Sequence, residues 1–234
     1  MAHHNSLGQP IGAPLTVTLP RPPIPHAAMT GRWAQVVPTD PAAHGPALFD
    51  AFAHDTDGRN WTYLPYGPFD SLTGFMDWLV PTSAGNDPLF NTILDRAGRP
   101  LGLASYLRID PANGVAEVGH IHFSPLIQRS AIATEAMYLM MARVFDALGY
   151  RRYEWKCDAL NAPSRAAAQR LGFQYEGTFR QATSYKGRNR DTAWFAMIDS
   201  DWPHARAAFQ NWLAPSNFNA EGQQKSPLRA AARR

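Results

Sequence analysis

Between Val115 and Cys157 the chain reads strand, helix, strand, and this order restricts the possible folds more than any other feature. Thr134 to Leu148 carries Met137, Met140, Met141, Val144, Phe145 and Leu148 at helical spacing, and Gly149 stands where a C-cap belongs. The flanking strands, Val115 to Phe123 and Tyr153 to Cys157, are thereby joined by a crossover helix, which makes them parallel. Upstream, Leu89 to Leu94, Leu101 to Ile109 and Val115 to Phe123 are separated by the turns Arg96-Ala97-Gly98-Arg99 and Asn113-Gly114, the pattern of an antiparallel meander. Downstream, Asn161 caps a helix that Gly172 stops, Phe173 to Ile198 closes as a hairpin, and Pro203 to Leu213 forms a last helix. Before the meander come a strand at Arg32 to Val37, a helix opened by Asp40 and Pro41, an aromatic loop at Asp57 to Phe69, and a short helix through Met76, Trp78 and Leu79. The expected fold is a single α/β domain on a mixed, twisted sheet of about seven strands with flanking helices.

At 234 residues with 45% hydrophobic and 18% charged, the composition fits one packed domain with extensions. Six prolines between Pro10 and Pro25 remove backbone donors, so residues 1–30 are expected to be an extended arm. The domain is expected over 31–213. Residues 214–234 are polar, then Ala- and Arg-rich, and read as a basic, mobile tail. That tail holds Lys225, Arg229, Arg233 and Arg234 against Glu221, which accounts for the formal net charge of +3 and leaves the body neutral. Nucleic-acid binding is therefore not expected, except through the tail. The longest apolar run, Ala193 to Ile198, is strand-sized, so no membrane span is expected. Lone Cys157 forms neither an internal disulfide nor a zinc cage, and no exported leader is seen, so the expectation is a cytoplasmic protein. A homodimer is compatible with all of this.

Gln128-Arg129-Ser130-Ala131-Ile132-Ala133, placed at the start of the crossover helix, resembles the phosphate-binding motif of the GNAT superfamily of acetyl-CoA-dependent N-acetyltransferases. The family motif is Gln/Arg-x-x-Gly-x-Gly/Ala, and here Ala131 replaces the first glycine. Backbone N–H groups at a helix N-terminus point outward and, with the helix dipole, suit a pyrophosphate. Ala131 keeps its N–H, and its methyl costs about 1 kcal/mol only if the backbone must take positive φ. The resemblance implies cofactor contacts from Phe123, Gln128, Arg129, Ser130, Ala131, Ile132, Ala133 and Thr134. Asn161-Ala-Pro-Ser164, Arg170-Leu-Gly-Phe173 and Glu176-Gly177 further resemble the Rim-type branch, which acetylates the N-terminal residues of ribosomal proteins. In that branch Asn161 would hydrogen-bond the pantetheine arm and Ser164 would assist the departing thiolate. Many superfamily members have a tyrosine for the thiolate where this chain has Ala168.

An amine acceptor also needs a base, because only its free lone pair attacks a thioester. Glu117 resembles, in its spacing to Gln128, the glutamate base of the histone-acetylating branch. His120 and His122 point to the opposite face of a regular strand, and a β-bulge would bring one of them into play. The Rim-type branch more often places a glutamate where this chain has Thr183. The base is thus left open between Glu117 or a water chain and one of the two histidines, with His120 the one named. No third ligand is placed beside the two histidines, so no metal is expected. The implied function is transfer of an acetyl group from acetyl-CoA, as co-substrate, to a primary amine, either a protein N-terminus or a small molecule. A degenerate acyl-CoA-binding sensor or scaffold is the alternative.

Overall fold

The computed structural model of the chain describes residues 3–231. Two residue pairs, β1 (His3–His4) and β2 (Pro10–Ile11), form a small hairpin of their own. The main sheet contains β3 (Met29–Thr30), β4 (Ala34–Pro38), β5 (Leu89–Asp95), β6 (Pro100–Asp110), β7 (Val115–Phe123), β8 (Arg152–Asp158), β9 (Gln174–Tyr185) and β10 (Arg188–Ile198). Its spatial order is β3-β4-β5-β6-β7-β8-β10-β9, and β7 with β8 is the one parallel pair. The crossover joining that pair is α3 (Ala131–Ala142), extended by a π-helical turn over Arg143–Ala147 and ended by Gly149 at φ +65°. The sheet thus has eight strands rather than about seven, because Met29–Thr30 at the end of the expected arm pairs with Val36 and Gln35.

The two faces of the sheet carry separate cores. Leu103 packs with Leu48, Phe52, Trp61, Phe75 and Leu79, which come from α1 (Pro41–Phe52), α2 (Leu72–Ser83) and the aromatic loop. Its neighbour Ala104 points the other way, as strand alternation requires, into the core formed by Met137, Met140, Met141, Phe195 and Phe209. That second face is covered by α3, by α4 (Ala162–Arg170) and by α5 (Trp202–Leu213). Asp40 caps α1 by accepting from the amides of Ala42 and Ala43, with Pro41 at the first helical position.

Strand β4 begins two residues later than its sequence suggests because the preceding amides have another partner. The buried Glu135 carboxylate on α3 accepts from the backbone N–H groups of Arg32, Trp33 and Ala34. Gly31 is required there, since any Cβ would collide with that carboxylate.

The segment after Leu213 departs from the mobile tail that its composition suggests. Phe218 bridges to Gln224, Trp212 Nε1 donates to Gln224 Oε1, and Leu228 and Ala230 are buried. Leu228 and Ala230 join the main core, and Ala230 O lies against Gly172, whose φ of +96° only glycine adopts readily. Two small apolar side chains are enough to dock a segment with no periodicity to announce it. Arg233 and Arg234, half of the tail's cations, lie outside the described residues.

The sheet parts in its middle. Strands β7 and β8 pair only from Val115–Val118 to Arg152–Trp155, so Gly119 to Phe123 has no partner on that side. A bulge lies in the same stretch: Ser105 opposes Gly119 and Leu103 opposes His122, which leaves Ala104 facing both His120 and Ile121. His120 takes φ +50° to accommodate it.

Candidate active site

Two cavities open into this parting. The larger, about 850 Å³, lies on the α3 and α4 side, and the smaller, about 300 Å³, lies toward the aromatic loop and the β9–β10 turn. They share Asn60, Ile121, Trp155, Asn161 and Ser164 as lining, so they meet at a common wall across the split sheet.

The larger cavity receives most of the residues expected to hold acetyl-CoA. Phe123, Gln128, Arg129, Ala133, Thr134, Asn161 and Ser164 line it, whereas Ser130, Ala131 and Ile132 do not. Ser130 is committed to the helix: its Oγ donates to Ile127 O and accepts from Ala133 N–H as the N-cap of α3. Ala131 and Ile132 contribute amides that precede the first intrahelical bond, which runs from Thr134 N to Ser130 O. The one left-handed residue of the motif is Arg129, at φ +58°, and Ala131 is outside that region, so its methyl causes no backbone strain. Gln128 Nε2 donates to Phe123 O, tying the loop to the end of β7. Arg170, which donates to Thr134 Oγ1, and Arg59 bring further positive charge that the sequence did not single out. Gln224 also lines this cavity from the C-terminal segment. An exposed run of amides at a helix N-terminus, ringed by three arginines, fits a pyrophosphate-bearing cofactor.

Asn161 and Ser164 sit where the cavities meet, placed by the turn from β8 into α4. Asn161 Oδ1 accepts from Ser164 N–H as the helix cap, which leaves the amide NH₂ available. Ser164 Oγ accepts from Trp155 Nε1 at 3.0 Å, so its own proton is free to be donated.

The smaller cavity brings Glu117 and His120 together, as a bulge was expected to do. Their states differ. The Glu117 carboxylate is buried and accepts from Arg108 at 2.7 Å and from Lys156 Nζ at 2.8 Å. Lys156 in turn bridges to Glu154 at 2.8 Å. Glu117 is thus held in a buried ion pair. The His120 ring stacks on Tyr66 and shares a 2.9 Å hydrogen bond between Nδ1 and Tyr66 Oη. Burial, helped by the Arg108 charge, lowers its pKa to about 4, so the imidazole is neutral at pH 7. His122, by contrast, lies between Phe52 and Trp61 with neither ring nitrogen hydrogen-bonded, and burial lowers its pKa to about 3. It lines the larger cavity, and no metal-binding cluster occurs among the described residues.

The aromatic loop does wall the smaller cavity. Asn60, Tyr63, Leu64 and Pro65 line it, Tyr63 Oη donates to Leu160 O, and Lys186 Nζ from the β9–β10 turn donates to Trp61 O. Of Lys186, Arg188 and Arg190 around that turn, Arg190 lines the cavity and the other two do not. Cys157 is buried in the same wall, and burial raises its thiol pKa, which speaks against a nucleophile. The sequence reading missed Arg108, Lys156, Asp158 and Tyr185. Strand alternation puts Lys156 and Asp158 together on the face of β8 opposite Cys157, a weak signal, and none existed for the other two.

Comparison with known proteins agrees with this geometry. An acetyltransferase (GNAT) domain family matches residues 37–174. The crystal structure of a GCN5-related N-acetyltransferase from Brucella melitensis is 47% identical, with a TM-score of 0.89 over 92% of this chain and 97% of that one. An uncharacterized N-acetyltransferase, p20, from Bacillus licheniformis is 28% identical over 148 residues, covering 60% of this chain and 80% of the relative. The ribosomal-protein-serine acetyltransferase of Escherichia coli is 30% identical over 98 residues, which cover 42% of this chain and 54% of that protein. With a family match across more than half its length and a sheet parted over a helix N-terminus, the chain belongs to the GNAT family of acetyltransferases.

Proposed function

We propose that this acetyltransferase acts on a primary amine, of the protein N-terminal class, and that the smaller cavity is where the amine is received. The observation that carries the reading is the wall shared at Ser164: a cavity suited to acetyl-CoA meets, across the split sheet, a polar chamber of amine size. The likeness to a ribosomal-protein-serine acetyltransferase supports the acceptor class. No helix among the described residues is long and apolar enough to cross a membrane, and the place of action we propose is the cytoplasm.

When bound, acetyl-CoA supplies the thioester. The amides of Ala131 and Ile132, with Arg129 and Arg170, hold its phosphates, and Asn161 steadies the pantetheine arm through its free NH₂. Backbone N–H groups of the unpaired end of β7 near Phe123 polarise the carbonyl. Of the two base candidates His120 is preferred. Both oxygens of Glu117 are occupied by cations, whereas His120 has no ion pair among the described residues, and its Nε2 offers a lone pair in the tautomer whose Nδ1–H donates to Tyr66 Oη. The ammonium passes one proton by way of His120 to solvent, since a ring whose pKa is about 4 does not keep it at pH 7, the amine nitrogen bonds to the carbonyl carbon, and the C–S bond breaks. The second nitrogen proton then passes to the thiolate, while the Ser164 hydroxyl stabilises it by donating a hydrogen bond.

The test is CoA-thiol release from acetyl-CoA with a set of primary amines and seryl- and alanyl-starting peptides, alongside calorimetric titration with acetyl-CoA. Thiol release with at least one amine, and acetyl-CoA binding weakened about tenfold in Asn161→Ala, are expected. Acetyl-CoA binding without thiol release from any amine would instead identify a sensor or scaffold.

A further inference from the structure

The smaller cavity contains a second carboxylate that no ion pair among the described residues neutralises. Asp158, only 5% exposed, ends β8 and lines the cavity beside Asn161 and Ser164. Its Oδ2 accepts from Tyr185 Oη at 2.8 Å and its Oδ1 from Leu160 N–H at 2.8 Å. Both donors are neutral. Among the described residues no lysine or arginine forms an ion pair with it. Two neighbouring arginines are turned to other partners: Arg165 donates to Ala159 O and Arg190 to Thr192 Oγ1. Glu117, in the same chamber, has two cations on its oxygens.

A buried carboxylate needs a cation or a full set of donors, and Asp158 has two of the roughly four donors that its lone pairs accept. The deficit faces a chamber that meets the cofactor side at Ser164. We infer that Asp158, held in place by Tyr185, is the seat of the acceptor's ammonium group. This rests on the amine acceptor proposed above and names the group that recognises it. The ammonium supplies the missing charge and fills the unused lone pairs, and Tyr63, Trp155 and Tyr185 around it favour a slender primary amine over a bulky tertiary one. Asp158 thereby acts as the binding group, and His120 on β7 as the proton acceptor. The Tyr185 hydroxyl stays protonated as a donor, because burial and the Asp158 contact raise its pKa to about 12.

The test titrates the full chain, saturated with CoA at pH 7, with alaninamide and with lactamide, in which a hydroxyl replaces the ammonium. The parent is expected to bind alaninamide at least about tenfold more tightly, the size of one charge-assisted hydrogen bond, and Asp158→Asn to lose that preference. The variant should keep the parent's affinity for acetyl-CoA, because the asparagine Oδ1 still accepts from Leu160 N–H and the Tyr185 hydroxyl can turn to accept from the new NH₂. Equal binding of the two probes by the parent, no binding of either, or an Asp158→Asn variant that still prefers alaninamide would overturn the assignment. The parent's preference needs no variant, so the first of these outcomes is readable even if Asp158→Asn fails to fold. Failure of the two readings is also separable: amine turnover with no ammonium preference overturns the seat alone, and ammonium preference without turnover overturns the transfer alone.

Discussion

The two cavities that meet at Ser164 are built in opposite ways. The larger draws on two short runs, 121–137 and 161–171, each a turn leading into a helix, with Arg59, Asn60, Trp155 and Gln224 added from elsewhere. The smaller is assembled from the aromatic loop, β6, β7, β8, the first turn of α4 and the β9–β10 hairpin. The first is held by local capping, with Ser130 and Asn161 closing their own helices. The second is held by contacts between distant strands, above all the Arg108–Glu117–Lys156–Glu154 chain of charges across β6, β7 and β8. A cofactor side fixed by local rules can be shared across a family, while an acceptor side made of separate segments can change one segment at a time.

That contrast makes the charge chain the most damaging place to cut. Lys156→Met leaves the Glu117 and Glu154 carboxylates facing each other without the cation between them, and a loss of about 3–5 kcal/mol in urea denaturation is expected. A loss below about 1 kcal/mol would mean that water screens the network and that the acceptor side is not held as described. A second effect comes from the buried histidines. The folded values of His120 and His122, about 4 and about 3, lie below the unfolded 6.5, so the stability they confer is complete above pH 6.5. It falls as the pH drops through this window, since the unfolded chain then binds protons that the folded one refuses. His122→Phe fills the same slot between Trp61 and Phe52 without a titrating group, and by pH 4.5 it should retain on the order of 2 kcal/mol more of its neutral-pH stability than the parent. Parallel curves for the two proteins would show that His122 is accessible to protons. The smallest effect is expected on the locally built side. Ala131 already has an ordinary helical start, so Ala131→Gly should change the acetyl-CoA dissociation constant by no more than about twofold in calorimetry. A tenfold gain would mean that the methyl obstructs the cofactor.

The same contrast explains what could be read in advance. Apart from the Ser130 cap, which starts the crossover helix at Ala131 and came from the structure, the helix caps at Asp40 and Asn161, the Gly149 stop, the meander turns and the parallel crossover all follow from residues a few positions apart. The cofactor-side residues came with them, because a motif is local by nature. Glu117 and His120 were named, but their roles turned on facts that lie outside their own strand. Arg108 and Lys156 occupy one, and the bulge opposite Ala104 turns the other into the chamber.

By itself, then, the sequence determined the order of elements and the cofactor-side turns, since capping, periodicity and glycine conformation act over a few residues. Tertiary structure decided which carboxylate is neutralised, which is left without an ion pair among the described residues, which histidine lines the smaller cavity, and that the C-terminal segment docks beside α5. Those outcomes depend on burial and on polar groups brought together from 9 to 97 residues apart, as between Arg108 and Glu117 or Tyr63 and Leu160, and no local pattern records such distances.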